Sequence, residues 1–323
     1  MSRTVRISAP SRLHFGLLRF GKDVGPSFGG LGMMVDQPRV TLEITPSDRW
    51  HAEGPKSERA LEIAQCVSHT INPASPTPLD IRVCEIPPAH SGLGTGTQLA
   101  FAIVHGIHQL HNLPTPNADQ LAQLADRGKR SAVGSHGYLH GGLIWELGQQ
   151  QPGQLGTLAQ HITVPPDWRI LLIRLPQQAG LHGHQEVAAF KNLPSIPPEV
   201  TGQLIHLAES KILPAAKTAD LDTFGQALYQ YGHLSGSCFS TVQGGPFASP
   251  EVENLVTHLR NQGIQGVGQS SWGPTVFAFS ENEDVARILA DHLKNHPEFA
   301  PAKITLTPAA TNGYIAQPSG LDD

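Results

Sequence analysis

The sequence has few charged residues, few cysteines and no long apolar run, and each shortage excludes a class of protein. Charged residues make up 15% of the 323 positions and the formal net charge is −5, so no nucleic-acid-binding surface is indicated. The cysteines, Cys66, Cys84 and Cys238, lack metal-site spacing, and their odd number fits a reducing compartment. No apolar stretch approaches the roughly 20 residues of a membrane span, and the sequence starts with a strand pattern rather than a signal peptide. We therefore expect a soluble cytoplasmic protein with no nucleic-acid partner and no membrane contact.

Two common phosphate-binding motifs are also absent from the glycine-rich stretch at residues 87–99, PPAHSGLGTGTQL. Thr97 occupies the last glycine position of the dinucleotide pattern, and no Walker lysine follows Gly96. The stretch runs into a helical pattern with one apolar face, formed by Leu99, Ile103, Ile107 and Leu110. Glycines let backbone N–H groups approach an anion, and a helix start favours negative charge. The stretch predicts a phosphate-binding turn, with a plain strand-to-helix connection as the alternative.

The chain is long enough for two domains, and we place the boundary after a proline-rich segment, giving domains at residues 1–165 and 166–323. In the first half, alternating patterns predict strands at residues 5–8, 40–44 and 79–83, and a helix begins near Asn117. The second half predicts strands at 169–175, 275–279 and 303–307, with helical periodicity at 200–208, 221–231, 252–259 and 285–289. These patterns predict an α+β fold.

Five separated motifs resemble one superfamily. The GLGTGT turn resembles the second motif of the GHMP kinases. The second glycine cluster, GVGQSSWGPT at residues 266–275, resembles a single branch of that superfamily, the β-ribofuranosylaminobenzene 5′-phosphate synthases of methanopterin biosynthesis. APSRLHFG at 9–16, GGLG at 29–32 followed by DQP at 36–38, and RGKRS at 127–131 resemble the same branch. The resemblance implies an N-terminal ribosomal-protein-S5-like domain and a C-terminal ferredoxin-like domain of helices and antiparallel sheet.

One position separates this branch from the kinases. In superfamily kinases with a catalytic aspartate, that residue lies in a Ser-Gly-x-Asp segment about seven residues before a Gly-Gly pair. Counting back from Gly141 reaches Gly134, which has no side chain to orient a substrate hydroxyl or take its proton. Some superfamily kinases lack this aspartate, so a kinase acting on a small alcohol stays the alternative. A non-catalytic protein that binds the ribosyl donor without releasing CO₂ is the third interpretation.

The resemblance implies a pentosyltransferase that condenses phosphoribosyl pyrophosphate with 4-aminobenzoate, or with 4-hydroxybenzoate, and releases pyrophosphate and CO₂. The ring carbon bearing the carboxylate attacks the ribosyl cation, and loss of CO₂ restores the aromatic ring without a dedicated base. We therefore expect no organic cofactor, and Mg²⁺ is expected to accompany pyrophosphate. The protein is expected to act by positioning and electrostatics, and oligomer statistics favour a homodimer.

The resemblance and the side-chain chemistry assign roles to the motif residues. Arg12, His14 and His90 are the expected catalytic residues. The glycine turn and two cations of the 127–131 string are expected to bind phosphate groups through Ser91, Gly92, Leu93, Gly94, Thr95, Gly96, Thr97, Lys129 and Arg130. The third motif is expected to contact the aromatic substrate through Gln269, Ser270, Ser271 and Trp272. Surface placement of Lys129 and Arg130, and core packing of Trp272, stay open as alternatives.

Metal ligation has little support in the sequence. Asp36 and Glu186 are the expected Mg²⁺ ligands, with ordinary solvated carboxylates as the alternative. Most of the 17 histidines are expected to be structural. The pairs at positions 136/140 and 182/184 have no third ligand motif, so no zinc site is expected. The glycines around His136 also predict that this segment is not helical.

Overall fold

Strands form two sheets in the computed structural model, which describes residues 4–20, 26–176 and 193–319. The first sheet has the order β11-β1-β2-β4-β3, with β5 beside β2 and β6 beside β5. Its strands are β1 Thr4–Leu17, β2 Gly30–Pro46, β3 His51–Glu53, β4 Leu79–Glu85, β5 Leu143–Glu146, β6 Leu158–Ile162 and β11 Ile315–Ser319. The second sheet is antiparallel, in the order β10-β7-β9-β8. Its strands are β7 Arg169–Arg174, β8 Val267–Gln269, β9 Thr275–Ser280 and β10 Lys303–Pro308.

The helices follow the apolar periodicity of the sequence. In order they are α1 Ser57–Ile71, α2 Thr95–Leu110, α3 Ala118–Ala125, α4 Val133–His140, α5 Pro198–Leu207, α6 Leu213–Thr218, α7 Leu221–Ser237, α8 Ser240–Gln243, α9 Pro250–Asn261 and α10 Glu283–Asn295, with a π-helical turn at Ala208–Ile212. The predicted face of α2 is buried at Leu99, Ile103 and Ile107. A capping box between Asn117 and Gln120 starts α3, which satisfies two backbone N–H groups. The predicted α+β class is confirmed.

A bulge in β1 divides its side chains between two cores. Before the bulge, Val5 and Ile7 pack with α1 and α2, whereas Leu13 and Phe15 pack with α7 and the second sheet. The pairing of β1 with β2 shifts register between residues 9 and 11, and one extra residue exchanges the two faces of a strand. After the bulge, Arg12 alternates with Leu13 along the strand, so its side chain points to the opposite face. That face is the side of the sheet that carries α2.

Two predictions about local structure are wrong. The glycine-rich segment around His136 forms α4, because Gly137 lets the helix pack directly on Met34, where a Cβ would collide with the thioether. In α10 the predicted periodicity included Ile288, which is 70% exposed. The buried face of that helix is formed instead by Ala286, Leu289, Ala290 and Leu293.

The last strand connects the two halves of the chain. Although it follows the second sheet in sequence, β11 pairs antiparallel with β1 at the edge of the first sheet. The predicted boundary between residues 165 and 166 falls between β6 and β7, and it stays a prediction. In the part of the chain that the structure describes, no helix is both long and apolar enough to cross a bilayer.

Candidate active site

The glycine turn forms the start of α2. Gly92 and Gly94 have φ values of +82° and +70°, in the left-handed region that glycine tolerates. The carbonyl of Gly94 accepts hydrogen bonds from the N–H groups of Thr97 and Gln98, at 3.0 and 3.2 Å, which closes the first turn of the helix. Ser91 donates its hydroxyl to the carbonyl of Pro88 at 2.7 Å and so holds the turn in shape. This geometry leaves the N–H groups at the start of α2 directed into the turn, an arrangement that favours an anion.

Strand β1 brings a guanidinium over the turn. The backbone N–H of Arg12 donates to the carbonyl of Leu93 at 2.9 Å, which fixes the strand against the turn. A Cβ built on Gly94 would lie 3.1 Å from the Nε atom of Arg12, so the arginine side chain covers this glycine. A larger residue at position 94 would therefore displace the guanidinium as well as strain the backbone.

His14 lies on the same strand in a positively charged environment. Its side chain is 95% buried and, among the described residues, its Nε2 atom has no hydrogen-bond partner. Burial lowers the pKa of His14 well below its usual range, and the charges of Arg12 and Arg130 lower it further. At neutral pH the imidazole is therefore uncharged, and it can hydrogen-bond a ligand without adding charge to the site.

The third motif joins β1 to the glycine turn. The hydroxyl of Ser270 donates to the carbonyl of Gly92 at 2.7 Å and accepts from the backbone N–H of His14 at 3.1 Å. The backbone N–H of Ser271 donates to the carbonyl of His14 at 2.9 Å. A Cβ on Gly273 would collide with the backbone of Gly92, so glycine is required for this close approach. The loop fixes the distance between β1 and the turn.

These contacts change the interpretation of the third motif. The amide of Gln269 accepts from the N–H of Ala248 and donates to the carbonyl of Ser271, both at 2.7 Å, so it shapes its own loop. Ser270 is fully buried and its hydroxyl bridges protein atoms. Trp272 is half-buried and meets Phe239 edge to face at 5.0 Å, which agrees with the packing alternative. Contact with an aromatic substrate stays a prediction for Gln269, Ser270, Ser271 and Trp272.

The cations of the 127–131 string point in different directions. Lys129 pairs with Asp126 at 2.7 Å on the surface, as the surface alternative expects. Arg130 is half-buried and close enough to His14 to lower the histidine's pKa. Arg127, which sequence reasoning did not assign, lies 3.9 Å from a Cβ built on Gly96. The cation-rich string was its only sequence signal, and that signal did not distinguish Arg127 from Lys129.

Position 134 faces the same site. A Cβ built on Gly134 would lie 3.5 Å from the Nε2 atom of Gln98 and 3.9 Å from the Nε atom of Arg12. The Nε2 atom of Gln98 donates to the carbonyl of Gly134 at 3.0 Å. A carboxylate at this position would therefore point toward Arg12 and the glycine turn, and the chain has none there.

One buried carboxylate lies behind the site. Glu146 is fully buried, and its two oxygens accept from the N–H groups of Ala132 and Gly148 at 2.9 and 3.0 Å. Burial raises the pKa of Glu146 to about 7, although these hydrogen bonds and one from Ser131 favour the charged form. A Cβ on Gly156 would collide with its carboxylate, which shows how tightly it is enclosed. Glu146 caps α4 and was not foreseen from the sequence, because a single Glu in an apolar strand carries no motif.

Three predicted residues remain, and the described contacts of the turn involve none of them. His90 is exposed on the surface with a φ of +58°. The carboxylate of Asp36 pairs with Arg39 at 2.7 Å. Glu186 lies outside the described residues. Within the described ranges no three His, Cys, Asp or Glu side chains form a group that could hold a metal ion. Ligation of Mg²⁺ by Asp36 and Glu186 therefore stays a prediction.

Comparisons with known proteins follow the same motifs. The model of the GHMP kinase N-terminal domain matches residues 58–142 and that of the C-terminal domain matches residues 212–298, together just over half of the chain. A protein of Methanocaldococcus jannaschii named beta-ribofuranosylphenol 5′-phosphate synthase is 27% identical over 86% of this chain and 90% of its own length. A protein of the same name from Archaeoglobus fulgidus is 28% identical over 89% and 92%. The predicted branch is confirmed, and the name of these relatives specifies a phenol where an aminobenzene was expected first.

Solved structures agree on the fold. Homoserine kinase from Cytophaga hutchinsonii superimposes with a TM-score of 0.72 at 17% identity, covering 97% of each chain. Mevalonate pyrophosphate decarboxylase from Streptococcus pyogenes gives 0.70 at 14% identity, covering 96% of this chain and 98% of that one. At these identities the likeness concerns architecture alone. With both domain models matched and this fold shared, the chain belongs to the GHMP kinase superfamily.

Proposed function

We propose that this protein is a C-riboside 5′-phosphate synthase of methanopterin biosynthesis, which joins phosphoribosyl pyrophosphate to a para-substituted benzoate. The name shared by its relatives specifies a phenol product, which favours 4-hydroxybenzoate over 4-aminobenzoate as the acceptor. The observation that carries the proposal is the pairing of a phosphate-binding turn with Gly134, which faces Arg12 where the kinase carboxylate would stand.

The proposed reaction needs no basic group from the protein. The C1′–oxygen bond of the donor breaks and its electron pair leaves with pyrophosphate. The ring carbon that bears the carboxylate supplies an electron pair to C1′ and forms the new carbon–carbon bond. The ring-to-carboxylate bond then breaks, its electrons restore the aromatic ring, and CO₂ departs. Since the group lost from that ring carbon is CO₂ rather than a proton, no carboxylate is needed at position 134.

The chain's own residues supply binding and electrostatics. Arg12 and the N–H groups at the start of α2 are suited to the negative charge that develops on the departing pyrophosphate. The neutral imidazole of His14 can donate a hydrogen bond to the ribose or the benzoate, or accept one from it, without repelling a cationic ribosyl centre. Ser270 holds these groups in register.

A kinase activity is the alternative function, and the buried carboxylate of Glu146 is poorly placed to serve as its base. Both oxygens of Glu146 are engaged by backbone N–H groups, and the side chain is enclosed by Gly156, so it has no free path to a substrate hydroxyl.

The test uses benzoates labelled at the carboxyl carbon. The protein is incubated with phosphoribosyl pyrophosphate, Mg²⁺ and either 4-hydroxybenzoate or 4-aminobenzoate, and labelled CO₂ is collected. We expect donor-dependent release, faster with the hydroxy acid. No release of labelled CO₂ from either benzoate would refute the synthase activity. Faster release from 4-aminobenzoate would refute only the choice of 4-hydroxybenzoate as the acceptor.

A further inference from the structure

Arg127 lies beside the phosphate-binding turn, although it has no assigned role in the RGKRS motif that contains it. We propose that Arg127 is the second guanidinium of this turn and binds the diphosphate of the ribosyl donor together with Arg12. The inference rests on the proposed function, because it names the group of the donor that the turn receives.

The position of the side chain carries the first step. Its Nη2 atom lies 3.9 Å from a Cβ built on Gly96, in the first turn of α2. Cβ directions in a helix tilt toward the N-terminus, so the guanidinium lies beside the open end of α2 and not farther along it. Arg12 covers Gly94, two residues earlier. The two guanidiniums therefore lie next to different glycines of the turn.

The surroundings of Arg127 on balance disfavour its charge. Its backbone N–H donates to the carbonyl of Ala122 at 2.8 Å, which anchors the residue behind α3. The neighbouring carboxylate, Asp126, is engaged by Lys129. Within the described part of the chain the Nε atom of Arg127 is buried without a hydrogen-bond partner. Burial lowers the pKa of Arg127 and the charge of Arg59 lowers it further, whereas Asp126 raises it. An anion at the turn would add to the stabilisation that Asp126 gives.

The number of cations favours a diphosphate over a phosphate monoester. Arg12 and Arg127 both lie beside the N-terminus of α2, in a chain whose net charge is −5. A diphosphate presents more negative charge and more oxygens than a monoester, and each arginine can engage one phosphate through two parallel hydrogen bonds. The 5′-phosphate of the donor is the competing occupant, and the experiment separates the two.

The experiment compares Arg127→Gln and Arg127→Lys with the wild-type enzyme. Inorganic pyrophosphate and ribose 5-phosphate are each tested as inhibitors against phosphoribosyl pyrophosphate. We expect Arg127→Gln to raise the inhibition constant of pyrophosphate by about 10- to 100-fold, the range of lost charge-assisted hydrogen bonds, with little change for ribose 5-phosphate. Arg127→Lys should fall between, because it keeps the charge but loses the planar fork. Lys294→Gln, which removes a surface cation paired with Asp291 on α10, is the matched control and should change neither constant.

Two results would overturn the inference: unchanged pyrophosphate inhibition in a folded Arg127→Gln variant, or weakened inhibition by ribose 5-phosphate alone. If Arg127→Gln does not fold, as shown by its thermal midpoint, Arg127→Lys decides by the same constants. Calorimetric titration of pyrophosphate into wild-type and variant proteins needs no turnover. A wild-type protein that binds pyrophosphate through Arg127 but releases no CO₂ would refute the synthase and retain the diphosphate contact.

Discussion

Replacing Glu146 with glutamine is expected to remove a large pH-dependent contribution to stability. Burial raises the pKa of Glu146 to about 7 in the folded protein, from an ordinary value of 4.5. Between these values the folded protein holds a proton that the unfolded chain has released, so the unfolding free energy falls as pH rises. At 1.36 kcal/mol per pKa unit, the contribution lost between pH 5 and pH 8 is about 2–3 kcal/mol.

Urea unfolding of the wild-type and Glu146→Gln proteins at pH 5, 6, 7 and 8 measures this contribution. The difference in unfolding free energy between the two proteins should shift by about 2–3 kcal/mol in favour of the variant as pH rises. The m-values must agree, because a changed m-value would report an altered unfolded or native state. A difference that stays constant across this range would refute the assignment of a buried, proton-holding carboxyl behind the site.

Three further substitutions test the construction of the site. Ser270→Ala removes the hydroxyl that hydrogen-bonds to the carbonyl of Gly92, so we expect a loss of about 1–3 kcal/mol in unfolding free energy and a raised KM for the ribosyl substrate. An unchanged KM would contradict the proposal that Ser270 fixes the distance between β1 and the turn. Lys129→Gln removes a surface ion pair and should change the KM for the ribosyl donor by less than about twofold. A rise in this KM above about tenfold would show that Lys129 contributes to donor binding. Gly134→Asp directs a carboxylate at Arg12, so binding of the ribosyl donor should weaken. Formation of ADP from ATP by this variant alone would be a gained activity. Formation of ADP by the wild-type protein would argue that the protein is a kinase.

The parts of the fold that sequence predicted correctly depend on local patterns. The face of α2, the start of α3 at Asn117 and the strands around the glycine turn follow from periodicity and helix-start chemistry within a few residues. Helix α4 was missed because glycine disfavours helices, while close packing against Met34 is a tertiary effect that outweighs this preference. The exposed Ile288 reflects the same limit, since periodicity alone does not say which of several apolar residues meets the core.

The structure brings together several of the residues that the motifs mark. Arg12 covers the glycine turn and His14 follows on the same strand, and each is marked by its neighbours in sequence, while their roles stay predictions. The role of Ser270 depends on a hydrogen bond to Gly92, 178 residues away, which no local pattern reveals. The choice between Arg127 and Lys129 depends on the path of the chain after α3, where left-handed backbone at residues 126 and 128 turns successive side chains in different directions.

A single competition experiment tests the central claim, that this superfamily's phosphate-binding turn serves here to activate a ribosyl donor. Phosphoribosyl pyrophosphate, ATP, Mg²⁺ and 4-hydroxybenzoate are supplied together, and CO₂, pyrophosphate and ADP are quantified from the same vessel. We predict equal amounts of CO₂ and pyrophosphate and no ADP. Formation of ADP without CO₂ would contradict the account.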